Sequence, residues 1–194
     1  VRYPERLTGI HLNYIPGAYR PPLGENDPPP TEEETAFLHR AAAFSEAEGA
    51  YAHIQRTKPQ TLAVGLSDSP AGLLAWMGEK VLSWCDTKPA ISHEWLLTNA
   101  TLYWLTNCIG SSFRPYVEGS RRPLLFKSGE RVKPPLGVAA FPRELPLPPR
   151  SWVERCYNVQ RWTQMPRGGH FAALEQPALL AEDIRAFFRP LHAV

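Results

Sequence analysis

Proline is concentrated at two places in this chain, and its scarcity between them decides where long helices can form. Six prolines fall between Pro16 and Pro30 and six more between Pro134 and Pro149, whereas residues 31–114 hold only Pro59, Pro70 and Pro89. A proline inside a helix removes a backbone donor, clashes with the preceding turn and costs about 3 kcal/mol. The middle of the chain is therefore free to be helical. Although 21 of the 194 residues are proline, only 13 are glycine, without a repeat, and 11% are aromatic. That composition excludes a collagen and wholesale disorder, and the length suffices to bury a real core.

The local patterns fit this division. From Leu7 to Ile15, Ile10, Leu12 and Tyr14 alternate with Gly9, His11 and Asn13, as in a strand. Thr31 with Glu34 forms a capping box, and Phe37, Ala41 and Phe44 follow at helical spacing toward a stop near Gly49. Asp68-Ser69-Pro70 opens a second helix with the stripe Leu73, Met77, Val81 and Trp84, ending before Pro89. A third starts near Ser92 and uses Leu96, Ala100 and Tyr103 or Trp104. Beyond the second proline cluster, Leu136 to Phe141 reads as a short buried strand and Trp162 to Met165 as another. An amphipathic helix behind Pro177 closes the chain with Leu179, Leu180, Ile184 and Phe187. Strands separated by a long helical insert give an α/β fold interrupted by a lid. The expected division is a core strand segment at 1–20, a helical lid at 21–132 and the carboxy-terminal core at 133–194.

Charge and cysteine content narrow the setting. A net charge of +2 and short basic pairs such as Arg121-Arg122 give no footprint for nucleic acid. Cys85, Cys108 and Cys156 match neither a disulfide framework nor a zinc motif and read as reduced core thiols. No cofactor or metal is expected. Without an apolar run long enough to span a membrane, or a signal-peptide pattern, the expected location is cytoplasmic with no membrane partner. The chain begins at Val1 without an initiator methionine, which reads as a processed chain or a piece of a longer one.

Two residues stand where chemistry is usually placed. His170 follows Gly168-Gly169 on the connection between the last strand and the closing helix. Two glycines free the backbone there, so the ring can project into a site, although a surface or merely hydrogen-bonded imidazole has the same local sequence. Glu144 follows the preceding strand. An acid after one strand and a histidine after the next is the order in which α/β-hydrolases place the last two members of a triad. Glu144 could equally be an ordinary solvated carboxylate.

Longer blocks make the pattern specific: Tyr51-Ala52-His53-Ile54-Gln55 with Thr57-Lys58-Pro59, Leu66 to Leu73, Tyr103-Trp104, Ser111-Ser112, Tyr116, and Gly168-Gly169-His170-Phe171-Ala172-Ala173-Leu174-Glu175. In order and spacing these resemble the carboxy-terminal half of the microsomal-type epoxide hydrolases, from about Leu7 to Phe188. The resemblance implies a partial α/β-hydrolase core with an inserted helical cap. In that family an aspartate opens the oxirane of a small hydrophobic epoxide to give an alkyl-enzyme ester. Two lid tyrosines, matched here by Tyr51 and Tyr116, hydrogen-bond the epoxide oxygen. A histidine, matched by His170, activates water against the ester and is oriented by a carboxylate, matched by Glu144. Taken alone, Tyr51 could be a packing residue at a helix end and Tyr116, after Pro115, a loop cap.

The match has a gap and a competitor. The family's Gly-Gly-Asp-Trp-Gly nucleophile elbow and His-Gly-Trp-Pro loop are not in this sequence. Since parallel strands are normally buried on both faces, the expectation is an incomplete sheet, completed by an amino-terminal half or a second chain and inactive without it. A non-catalytic scaffold is the alternative. The competitor is Thr61 to Ser69, which looks like a strand running into Gly65-Leu66-Ser67-Asp68-Ser69, a near miss to Gly-x-Ser-x-Gly. In that reading Ser67, Glu144 and His170 would form an esterase triad, against which the last glycine is replaced and Asp68-Ser69 already caps a helix.

Overall fold

The computed structural model describes residues 3–15, 19–87 and 91–192; Val1, Pro16 and Pro89, named above, lie outside them. The chain divides into two compact units, the first made of Val1–Ala43, Trp84–Asp86 and Phe126–Val194, the second of Phe44–Ser83 and Thr87–Leu125.

The first unit is built on a parallel sheet of β1 (Ile10–Leu12), β2 (Val132–Ala140) and β3 (Tyr157–Gln164), with β2 in the middle. Only three of the alternating residues from Leu7 to Ile15 become strand, because a 3-10 turn at Pro4–Arg6 precedes them and pairing comes from β2 alone. β2 starts earlier than the apolar run suggests. Its ladder slips between Val132 and Pro135, which is where Pro134 and Pro135, lacking an N–H, can be tolerated inside a sheet. β3 also starts earlier, at Tyr157, where Asn158, Gln160 and Arg161 disguise its strand character.

Side-chain alternation then sorts the two faces of the sheet. Leu136 and Val138 point to a cluster with Ile15 and Val153, the last on α8 (Arg150–Cys156). The α1 helix (Glu32–Glu48) adds Phe37, fully buried with its ring edge-on to Trp152. The capping box forms as expected, Glu34 N–H donating to Thr31 Oγ1 at 3.2 Å and Thr31 N–H to Glu34 Oε2 at 2.9 Å. Glu34 also accepts from Ser151 Oγ at 2.8 Å, so the cap ties α1 to α8.

On the opposite face, Ala139 packs with Phe141, Met165, Leu179 and Leu180. The last two belong to α10 (Pro177–Phe188), which follows the single turn α9 (Ala172–Glu175). His11, Gly137 and Arg161 form one row across the three strands. A Cβ at Gly137 would lie 2.8 Å from the Phe187 ring, so only glycine lets α10 sit this close. Above the row, Asp183 accepts from His11 Nε2 at 2.8 Å and from Arg161 Nε and Thr163 Oγ1, both at 2.7 Å. Burial alone would raise its pKa, but these bonds hold it below the ordinary carboxylate value.

A lowered folded pKa means that Asp183 contributes stability above its unfolded value near 3.8 and loses it as pH falls through the lower folded one. Asp183→Ala is expected to cost about 3 kcal/mol, the low end for breaking a buried pair, because the Arg161 side chain remains 37% exposed. Urea unfolding at pH 7 and pH 3 checks this: the gap between variant and parent should narrow at the lower pH.

The second unit is helical: α2 (Ala50–Thr57), α3 (Pro59–Asp68), α4 (Pro70–Trp84, its last residue counted with the first unit), α5 (His93–Leu105), α6 (Ile109–Ser112) and α7 (Arg114–Arg121). Pro59 and Pro70 stand at first helical positions, where the missing N–H is harmless. Ser69 Oγ accepts from Gly72 N–H at 3.0 Å and Ser92 Oγ from Trp95 N–H at 3.1 Å, the two caps that open α4 and α5. Leu66, Leu73, Ile109 and Phe113 form the core, flanked by Trp76, Met77, Tyr103 and Trp104.

The competing reading fails here. Thr61 to Ser67 is helix, not strand, because Pro59 starts a helix whose Ala63 and Leu66 face the core. Ser67 lies exposed on α3 and no nucleophile elbow forms there, so the esterase reading is withdrawn. Cys85, Cys108 and Cys156 are free thiols. Burial, and then the nearby Glu175 charge, push Cys85 up to about 11. Among the described residues no helix is long and apolar enough to cross a membrane.

Candidate active site

Glu144 and His170 meet because pairing between β2 and β3 resumes beyond the strands themselves. The last strand pair is Ala140 with Gln164; after a gap, Arg143 bridges to Gly169 in the same parallel sense. Arg143 N–H donates to the Gly168 carbonyl at 3.1 Å. Glu144 and His170 are each one residue past that bridge, so the backbone ladder delivers them side by side. His170 Nδ1–H donates to Glu144 Oε1 at 2.6 Å, and Leu145 N–H donates to the same oxygen at 2.7 Å. The Glu144 side chain is 1% exposed and that of His170 23%. The acid is thus enclosed while the ring keeps an accessible side.

Which nitrogen carries the proton follows from the partner. An ionised carboxylate can only accept, so neutral His170 holds its proton on Nδ1 and presents Nε2 as a free base. Three rings confine the imidazole: Tyr14 and Trp84 stand edge-on, each with its centroid at 5.3 Å, and Phe171 lies at 5.2 Å. Gly168 adopts φ +114°, a conformation that favours glycine, and a Cβ there would meet Phe141 at 2.6 Å. The glycines before His170 therefore permit a close-packed turn as well as a free one.

The tyrosines are brought together in the second unit. Tyr51 is on α2 and Tyr116 on α7, helices that pack on each other, and the rings meet edge-to-face at 6.0 Å. Lys80 Nζ lies 5.2 Å from the Tyr51 ring centroid and pairs with Glu48 and Glu79. Burial raises the Tyr116 pKa above its ordinary value, against a hydrogen bond with Tyr51 that lowers it. The phenol stays a proton donor through neutral pH. Tyr116 is 37% exposed, open enough to meet a ligand.

A cleft of about 520 Å3 at the ends of β2 and β3 is lined by Glu33, Arg40, Phe141, Glu144 and Trp162. The second unit holds a smaller apolar cavity of about 230 Å3 walled by Leu74, Leu97, Ala100 and Trp104. Among the described residues no cluster of His, Cys, Asp and Glu could hold a metal. Sequence reasoning missed Tyr14 and Asp86, and it gave Trp84 and Glu175 no role at the histidine. Only Tyr14 carried a usable signal, its place just past the carboxyl end of a strand, where α/β proteins build sites.

No family model matches the chain. It is 42% identical over 195 residues to a Stigmatella aurantiaca protein named for epoxide hydrolysis, an alignment covering 98% of this chain and 43% of that one. It is 41% identical over 153 residues to epoxide hydrolase 1 of Oryctolagus cuniculus, covering 72% and 34%. Among solved structures it resembles the epoxide hydrolase of Aspergillus niger at a TM-score of 0.79 and 33% identity, covering 96% of this chain and 47% of that one. The juvenile hormone epoxide hydrolase of Bombyx mori follows with a TM-score of 0.68 and 32% identity, covering 76% and 40%. The chain spans less than half the length of each of these relatives.

Proposed function

The chain belongs to the epoxide hydrolases of the α/β-hydrolase fold, and from that premise we propose that it contributes the base, the orienting acid and both phenol donors for hydrolysing an epoxide to a vicinal diol. The observation that carries this reading is the 2.6 Å bond between His170 Nδ1 and Glu144 Oε1, which leaves Nε2 free. The sequence contains no Gly-Gly-Asp-Trp-Gly elbow, so the nucleophilic aspartate comes from residues outside it, either an amino-terminal half or a second chain. We read the compact helical unit of Phe44–Ser83 and Thr87–Leu125 as the lid expected over 21–132.

The chemistry then divides between the two pairs. The aspartate carboxylate forms an ester bond to one ring carbon as the ring C–O bond breaks and its electrons move to oxygen. Tyr51 and Tyr116 stabilise that oxygen by hydrogen bonds and one gives it a proton. His170 Nε2 draws a proton from water, which adds to the ester carbonyl; the acyl C–O bond breaks, the diol leaves and the carboxylate is restored. The imidazolium proton returns to the phenolate. Glu144 holds the ring and offsets the charge it acquires. Aromatic side chains of the second unit, Trp76 and Trp104 among them, fit a small hydrophobic epoxide, and the steps call on no cofactor or metal.

The test is diol formation from an aryl epoxide by this chain combined with a chain bearing the elbow aspartate. Diol is expected from the combination and not from either part alone. A folded complex that yields none would leave a non-catalytic scaffold as the better description.

A further inference from the structure

The loop Gly168–Phe171 is held by regular pairing only at the Arg143–Gly169 bridge, yet all four of its backbone N–H groups are satisfied. Gly168 donates to Asp86 Oδ2 at 2.8 Å, Gly169 to Glu175 Oε1 at 3.1 Å, His170 to the Trp84 carbonyl at 2.9 Å and Phe171 to Glu175 Oε1 at 3.2 Å. Two carboxylates thus take three of the four donors. They are joined to each other, since Asp86 N–H donates to Glu175 Oε2 at 2.7 Å. Arg143, which bridges to Gly169, stands 3.9 Å from Asp86 Oδ1.

The chain makes a special excursion to achieve this. It leaves the second unit after Ser83, places Trp84, Cys85 and Asp86 in the first, and returns to the second at Thr87. Trp84 contributes twice, its carbonyl to the His170 N–H and its ring edge-on to the imidazole, while also stacking on Phe171 at 6.4 Å. Gly169 is needed for the approach, because a Cβ there would come within 2.6 Å of the Trp84 oxygen and 2.8 Å of the Asp86 nitrogen.

We propose that Trp84, Asp86 and Glu175 form a clamp that positions His170, fixing the loop so that Nδ1 stays on Glu144 while Nε2 faces the reacting water. The proposal rests on His170 as the base of the proposed reaction. Hydrogen bonds to ionised acceptors are roughly twice as strong as neutral ones, and a misplacement of about 1 Å costs roughly 10²-fold in rate. Two adjacent glycines would otherwise give the loop the widest backbone freedom available. The three are positioning residues, acting through His170 and not on substrate.

Two readouts separate this from general support of the fold. In this chain, the far-downfield proton resonance of His170 Nδ1 is expected to weaken or vanish in Asp86→Ala and Glu175→Gln. Asp86→Asn, which keeps an acceptor oxygen, should restore it in part. Phe37→Leu, a core change elsewhere, should lower stability and leave the resonance alone. If Asp86→Ala fails to fold, Trp84→Phe and Glu175→Gln carry the test. An unchanged resonance in folded clamp variants overturns the proposal. In the complemented enzyme, the same variants should lower kcat about 10²-fold and KM with it, leaving kcat/KM and the rate of ester formation unchanged. Absence of diol from the parent enzyme would instead count against the proposed reaction, while the resonance would still report on the clamp.

Discussion

Replacing His170 by alanine is expected to lower diol formation by about 10²- to 10⁴-fold, the range of a general base, and to do so at one step only. Ring opening needs the aspartate and the phenols, and none of these depends on the imidazole. The ester should therefore form at close to the parental rate and then persist. A single-turnover experiment with excess enzyme should show epoxide consumed, diol absent, and the chain that carries the aspartate heavier by the mass of the epoxide. Full turnover in the variant would remove His170 from the mechanism. Because Nδ1 is held by Glu144 at 2.6 Å, Glu144→Gln should act in the same direction with a smaller effect.

The tyrosine pair carries the second large effect, on the other half of the reaction. Losing one donor to a developing oxyanion costs about 10²- to 10³-fold, so Tyr51→Phe and Tyr116→Phe should each slow ring opening by that much. Their rings meet at 6.0 Å and share one task, so the double variant should lose less than the product of the two single losses. Here the ester should fail to form, the reverse of the His170→Ala result. The sign of the Tyr116 shift adds a pH test. A phenol whose pKa is raised by burial remains a donor beyond its ordinary value of about 10. Single-turnover ring opening should show no loss from Tyr116 ionisation below that pH, and a fall well below it would contradict the assignment.

Much of this architecture could be read from local chemistry. The caps at Thr31 and Ser69 act within four residues, so sequence shows them and the structure repeats them. The apolar run through Val138 marked β2 for the same reason. The start of β3 is hidden from the sequence because Asn158, Gln160 and Arg161 are polar, and the stretch through Ser67 looks like a strand because periodicity over seven residues does not separate strand from helix. His170 and Glu144 were legible as the ends of two successive connections. The clamp was not, since Asp86 meets Gly168 across 82 residues. No local pattern distinguishes such an aspartate from one facing water.

The bridge between Arg143 and Gly169 has a consequence for how this region can vary through evolution. Acid and base are set in register by a backbone ladder, so their partnership depends on the number of residues in each connection far more than on which residues fill it. From Ala140 to Arg143 the chain takes three steps and from Gln164 to Gly169 it takes five. Exchange of side chains within those steps leaves the register intact, except at Gly168 and Gly169, where a Cβ would clash. Removing one residue turns His170 by half a pleat and aims it away from Glu144. Outside the two glycines, drift in this stretch is therefore tolerated in letters and forbidden in length, and a two-residue compensation across both connections is the shortest route by which the acid could change position.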